Sequence, residues 1–241
     1  MDAGVWGLGL VLLAMAVGTC LQGAVGFGMG TVAAPVVAVV DPSVLPGLVI
    51  AVALLLTIAI SVRERRAIHL RGVGAAFGGR VVGTAVGAVV VAVLAERWVS
   101  ILVGVVVIAA MALAALGWRP EPNRRNVVVA GATSGLFGTT TGIGGPPMAM
   151  VWRAGEHAQA RGTLSAFFLA GSALSLVALA VAGELDRDVA VGVAQVLPAV
   201  VVGLVASQWL VKVASPGQIR AVGIAVSVLG AVAAVISGVR G

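Results

Sequence analysis

Apolar and polar residues do not alternate along this chain. They separate into long apolar blocks and short polar joints. The apolar blocks run over 5–22, 30–40, 44–62, 73–94, 98–117, 127–140, 146–152, 163–183, 189–211 and 221–238. The joints are "DPS", "RERRAIHLR", "ERW", "RPEPNRR", "RAGEHAQAR", "ELDRD" and "KVASPGQIR". A bilayer core about 30 Å thick is crossed by about 20 apolar residues in a helix. Blocks such as "VLPGLVIAVALLLTIAISV" and "ILVGVVVIAAMALAALGW" meet that length. A transmembrane barrel would need strands of about 10 residues with alternating polarity, and these blocks do not alternate. The pattern predicts an all-α polytopic membrane protein without a soluble domain or a long linker.

Two regions break the helical pattern. "GAVGFGMGTVAAP" at 23–35 and "TTTGIGGPPMAM" at 139–150 place glycines and prolines inside apolar sequence. The charge pattern bears on how they cross. Cytoplasmic loops of membrane proteins are enriched in Lys and Arg. Arg63, Arg65, Arg66 and Arg71 place their joint inside, as do Arg119, Arg124 and Arg125, then Arg153 and Arg161, then Lys212 and Arg220. The acidic "ELDRD" and the joints "ERW" and "DPS" read as outside, and so does the acidic N-terminus. The parity closes only if 5–40 and 127–152 are hairpins that enter and return on the same side. Both termini are then expected outside the cytoplasm.

Composition agrees with the block pattern. The 241 residues are 60% hydrophobic and 10% charged, against about 25% charged in soluble domains. Mean hydropathy is +1.14. The net charge of +6 sits in the joints, so it reads as topology and not as a nucleic-acid surface. The one cysteine, Cys20, excludes an intrachain disulfide and a cysteine-based metal cluster. "MDAGVW" carries no basic region of a cleavable signal. Tyrosine is absent, so interfacial anchoring falls to Trp6, Trp98, Trp118, Trp152 and Trp209, most of them near block ends.

The chain also carries an internal repeat. A shift of about 116 residues lays Gly26-Phe27-Gly28 over Gly142-Ile143-Gly144, and the later blocks superpose within a few residues. The predicted units are 1–118 (hairpin 5–40, helices 44–62, 73–94 and 98–117) and 119–241 (hairpin 127–152, helices 163–183, 189–211 and 221–238). Each holds five segments, and an odd number inverts the second unit. Inverted repeats with broken helices mark transporters, and the breaks mark the site.

Irregular backbone is tolerated at membrane depth where it lines a cavity. Glycine reaches left-handed conformations and lets a ligand approach the backbone. Pro146 and Pro147 suit the start of a new helix, whose free N–H groups favour an anion. Thr31 stands near the corresponding start in the first hairpin. Thr139, Thr140 and Thr141 form a cluster of hydroxyl donors, unless each turns back onto its own helix. Gln22 is either a ligand or a staple that holds its hairpin. Gly79, Gly83 and Gly87, with Gly223 and Gly230, read as packing surfaces. Arg80 is an ionisable residue well inside a block, which is a functional hypothesis by default. The alternative is that it snorkels toward Arg71 and the cytoplasmic surface. Gln195 falls near the equivalent place in the second unit. No Asp or Glu lies mid-block, His69 and His157 lie in joints, and no Walker motif or nucleophile–base pair is present. These absences leave no ATPase, carboxylate relay or hydrolase to propose, and no enzyme, metal or cofactor is expected.

"LQGAVGFGMGTVAAPVVAVVDPSVLPGL", "SGLFGTTTGIGGPPMAMVW" and "RGTLSAFFL" resemble the sulfite exporter TauE/SafE family of membrane permeases. The resemblance covers nearly the whole chain. It implies movement of sulfur-containing anions such as sulfite, sulfonates, sulfoacetate or thiosulfate. It carries Gln22, Gly26, Phe27 and Gly28, then Thr141, Gly142, Gly144, Gly145, Pro146 and Pro147, as pocket or hairpin-tip positions. The first motif departs from the more glycine-rich family form at Met29.

The expected substrate site is therefore Gln22, Gly26, Phe27, Gly28, Thr31, Thr140, Thr141, Gly142, Gly144, Gly145, Pro146, Arg80 and Gln195. The expected protein is a secondary transporter for a small sulfur anion in the inner (plasma) membrane. Its partners are that anion and the bilayer, with no nucleic acid; a homo-oligomer stays open. A channel or a non-transporting scaffold is the alternative.

Overall fold

A computed structural model describes residues 4–68, 73–118, 120–152 and 157–240. The described residues form ten α-helices and no strand. They are α1 (Gly4–Val25), α2 (Met29–Val40), α3 (Gly47–Arg63), α4 (Val73–Val93), α5 (Glu96–Ala115), α6 (Arg124–Thr141), α7 (Gly145–Val151), α8 (His157–Ala182), α9 (Arg187–Val213) and α10 (Pro216–Arg240). Six of them are long and apolar enough to cross a membrane: α1, α4, α5, α9 and the apolar parts of α8 and α10. The protein is a multi-pass helical membrane protein. Expectations placed on His69, Arg71, Arg119 and Arg153, and on the side chains of His157 and Arg220, lie outside the described residues.

Both glycine-rich regions break where the pattern predicts, at 26–28 and 142–144. Several helices begin earlier than the apolar blocks do. α6 starts at Arg124 because the Asn123 side chain accepts from Asn126 N at 2.8 Å, capping a polar first turn. Asp186 does the same for α9, accepting from Val189 N at 3.0 Å. Hydropathy alone misses such turns, because they sit beyond the apolar core.

Glycine sets the helix packing. On α4, Cβ atoms at Gly79 and Gly83 would run into the backbone of Val128 and Ala132 on α6, and one at Gly87 would lie 2.9 Å from Leu136 O. On α6, Cβ atoms at Gly131 and Gly135 would run into the backbone of Ala76 and Arg80. The two stripes interlock, which is how membrane helices gain close contact without a hydrophobic driving force between them. α1 packs on α9 in the same manner at Gly203 and Gly23. α5 packs on α10 at Gly104 and Gly238, and α3 packs on α8. The largest buried cluster includes Met15, Met29, Leu48, Leu56, Ile60, Val103 and Ile143. Outward faces carry Val82, Val89, Val202, Trp209 and Leu229, as a lipid-facing surface would.

The ends of α3 orient the bundle. At its C-terminus, Arg161 of α8 donates to Glu64 at 3.0 Å, and Arg63 donates to Gly23 O at 3.0 Å. At its N-terminus, a Cβ on Gly47 would lie 3.0 Å from Leu185 and Val189. The α8 start and the α8–α9 joint therefore lie at opposite ends of the molecule.

Candidate functional site

The two hairpin turns pass each other inside the bundle. Gly26 and Gly28 of the first have φ 92° and 123°, and Gly142 of the second has φ 74°. Side chains are strained in that region, so these three positions need glycine. A Cβ on Gly30 would run into Gly142 O, and one on Gly145 would lie 3.1 Å from Phe27 Cβ. The turns touch backbone to backbone because the residues between them are small. Gly144 differs from the other turn glycines. Its φ is −91°, so conformation does not demand glycine there. Space does: a Cβ would lie 2.8 Å from Ser134 O and 3.1 Å from Arg80 Nη1.

Between the turns lies a cavity of about 40 Å³, lined by Gln22, Phe27, Gly28, Thr31, Gly142, Gly144, Gly145, Pro146 and Arg80, with Phe168 and Ser172 of α8. A water needs about 10–15 Å³ by this measure, so the cavity holds about three. Arg80 is 2% exposed, so it does not snorkel. The glycine stripe explains why. Arg80 sits between Gly79 and Gly83 on the face that α4 presents to α6. Its Nη1 donates to Ser134 Oγ at 2.7 Å, and Ser134 Oγ donates to Gly144 O at 2.6 Å. The guanidinium carbon lies 5.2 Å from the Phe167 ring centroid and 5.9 Å from that of Phe168, within cation–π range. A Cβ on Gly171 would overlap the guanidinium, so α8 must carry glycine there. Arg80 Nε has no hydrogen-bond partner among the described residues. No described carboxylate lies within ion-pair distance of this arginine.

Other expected site residues are spent on structure. Gln22 Oε1 accepts from Met29 N at 3.1 Å, so it staples the first hairpin while it also lines the cavity. Thr31 Oγ1 donates to Gly28 O at 2.8 Å. Thr140 and Thr141 do not line the cavity. Thr140 Oγ1 donates to Leu136 O at 2.9 Å, and Thr141 Oγ1 donates to Phe137 O at 2.6 Å. Thr141 also accepts from Ile143 N at 3.2 Å, which closes the turn after α6. Thr139 pairs with Ser175 of α8 at 2.8 Å. Gly26 lies off the cavity, where a Cβ would sit 3.0 Å from Arg161 Cα. Gln195 is exposed on α9 and does not line the cavity.

The expectation that the N–H groups at the two helix starts favour an anion also changes. α7 has seven residues, too few for a useful dipole. The first N–H of α2 is already bonded to Gln22. The cavity's positive group is Arg80. Ser134, Gly171 and Ser172 are contributors outside the expected set. The signal for Ser134 was the small-residue stripe of α6 facing that of α4.

Residues 10–234 of the 241 match the family described as Sulfite exporter TauE/SafE. The chain belongs to that family. No curated protein and no solved structure matches it. TauE/SafE is a transporter family, and six helices long and apolar enough to cross a membrane fit that class. Within this TauE/SafE chain the cavity walls come from both halves. α4 supplies Arg80, while α6 and α8 hold it.

Proposed function

We propose that this protein is a secondary transporter of a small sulfur-containing anion, such as sulfite, a sulfonate, sulfoacetate or thiosulfate, in the inner (plasma) membrane. The anion binds between the hairpin turns, against Arg80, with Gln22, Gly28, Gly144, Gly145 and Ser172 around it. The observation that carries this reading is Arg80 itself. A buried charge without a counter-ion costs several kcal/mol. A guanidinium that lines a cavity, with no described carboxylate within ion-pair distance, suits an oxyanion that supplies the missing charge. The Phe167 and Phe168 rings and Ser134 offset part of the cost when the site is empty.

The same reading treats 1–118 and 119–241 as inverted repeats with both termini outside the cytoplasm. Matched partnerships support it. α1 packs on α9 as α6 packs on α4, while α3 meets α8 and α5 meets α10. Alternating access then moves one set of helices against the other about the turns.

The test is binding of sulfite and methanesulfonate to purified protein by calorimetry. Arg80→Gln is expected to weaken both by at least about 30-fold, the low end for losing one partner of a buried charge pair. Arg80→Lys keeps charge without the planar fork and falls between. Equal affinity in all three proteins removes Arg80 and the reading with it. Saturable counterflow in proteoliposomes separates the carrier from a channel.

A further inference from the structure

A second, larger cavity adjoins the Arg80 cavity. Its volume is about 350 Å³, and Phe27, Gly28, Thr31 and Pro146 line both. Its other walls are apolar and come from α1, α5, α7 and α10, including Leu21, Val25, Met111, Trp118, Met150 and Ile224. Among the described residues no charged side chain lines it. Among the described residues its two hydroxyls are already used: Ser227 Oγ donates to Thr31 Oγ1 at 3.1 Å, and Thr31 Oγ1 donates to Gly28 O. The chamber therefore offers a hydrated anion nothing in exchange for its water. It offers apolar matter a dry wall.

We propose that the two cavities form one divided site for an amphiphilic organosulfonate, with the sulfonate head on Arg80 and the hydrocarbon part in the α1–α5–α7–α10 chamber. The inference rests on the reading of Arg80 as the anion ligand. The head cavity has room for about three waters, so it takes an oxyanion group and little else. A chain attached to that group must leave past Phe27 and Pro146, and the chamber lies on their other side. Phe27 thus acts as the divider. It sits against Gly145 on one side and belongs to the cluster of Met148, Phe167 and Phe168 that backs the arginine. The site would then prefer an organic sulfonate to free sulfite.

The experiment uses the full chain in lipid nanodiscs, with protein-free nanodiscs subtracted. Calorimetry compares sulfite, methanesulfonate, 1-propanesulfonate and 1-hexanesulfonate, with hexanoate as the head-group control. Affinity is expected to rise with each added methylene by up to about fourfold. Hexanoate should bind more weakly than hexanesulfonate if the head cavity reads the tetrahedral group. Gly223→Phe, which fills the chamber, should flatten the series and leave methanesulfonate unchanged. Ala149→Phe, on another wall, repeats the test should the first variant fail to fold. Arg80→Gln should weaken every member. A flat series in the wild-type protein, with sulfite and methanesulfonate still bound through Arg80, overturns the divided site and leaves the anion reading standing. A rising series that Arg80→Gln does not weaken means the tail binds as a lipid chain would, and also overturns it. Failure of all sulfonates and sulfite to bind sinks the anion reading itself.

Discussion

The two hairpins solve one backbone problem with different equipment. Each turns at glycines in positive φ, and each is fastened by a side chain. In the first, Gln22 fastens the turn to the start of α2 through Met29 N, and the return helix runs twelve residues. In the second, Ser134 ties the turn at Gly144 to Arg80, and the return helix runs only seven. Their surroundings differ as well. The first turn rests beside Arg161, whose Glu64 partner also holds Arg63. The second rests on Val49, which a Cβ at Gly142 would approach to 2.6 Å. The difference separates a turn that is held in place from a turn that holds the ligand's counter-charge. Substitutions matched between the two should therefore give unequal losses.

The largest contrast is between Gly144→Val and Gly28→Ala. At Gly144 a branched side chain must enter the space of Ser134 and the Arg80 guanidinium. Anion binding should fall by more than about a hundredfold, since each 1.4 kcal/mol is tenfold. At Gly28 the φ of 123° penalises any side chain, but a Cβ would meet nothing closer than Thr31 Oγ1 at 3.9 Å. Gly28→Ala should cost about 1–2 kcal/mol of stability and, although Gly28 lines the cavity, less affinity than Gly144→Val, because its Cβ does not reach the Arg80 guanidinium. Thermal unfolding and calorimetry on the same samples separate the two effects. Equal affinity losses would show that the first turn bears on the anion as strongly as the second.

A smaller contrast sets Ser134→Ala against Gln22→Leu. Ser134 accepts a bond from a charged group and passes one to the turn. Hydrogen bonds to charged groups contribute about 1.5–3 kcal/mol, so Ser134→Ala should weaken anion binding about tenfold or more. Gln22 accepts from a neutral N–H, a bond worth about 1 kcal/mol. Gln22→Leu should lower the melting temperature and shift affinity less than Ser134→Ala does. Should Gln22→Leu prove the more damaging to binding, the amide is a ligand and the staple is secondary.

What was legible in the sequence follows from the same contrast. The breaks were legible because clustered glycines stand there beside proline in both halves, which is more than the spaced glycines of a packing stripe, and most helices fell within a few residues of the blocks. The fate of Arg80 was not, since distance from Arg71 along the chain says nothing of helix face. The face was written in Ala76, Gly79, Gly83 and Gly87, a stripe of small residues that runs past the arginine into another helix. Thr140 and Thr141 misled because a helical hydroxyl finds its own backbone before it finds a ligand. Gln195 misled by one residue. A shift of one residue turns a helix by about 100°, and Val196, the next along, takes the buried place.

The smallest expected effect tests the first turn's support. Glu64 accepts from Arg161 Nη2 at 3.0 Å and pairs with Arg63 Nε at 3.3 Å, while Arg63 Nη2 reaches Gly23 O at the end of α1. Glu64→Gln keeps the shape and removes the charge that joins the two arginines. All three side chains keep some exposure, at 31% for Arg63, 14% for Glu64 and 19% for Arg161. Solvent and salt therefore screen them, and exposed pairs contribute at most about 1 kcal/mol. The variant should unfold slightly earlier than wild type at low salt. The gap should close as salt rises, because screening removes from the wild type what the substitution removes outright. Binding at Arg80 should not change, since the cluster touches Gly23 and Gly26 and not the cavity. A transport rate that collapses in Glu64→Gln while binding and stability hold would give the cluster a different meaning. The ion pairs between the α3 end and the α8 start would then open and close during the cycle, and the first turn would be the moving one.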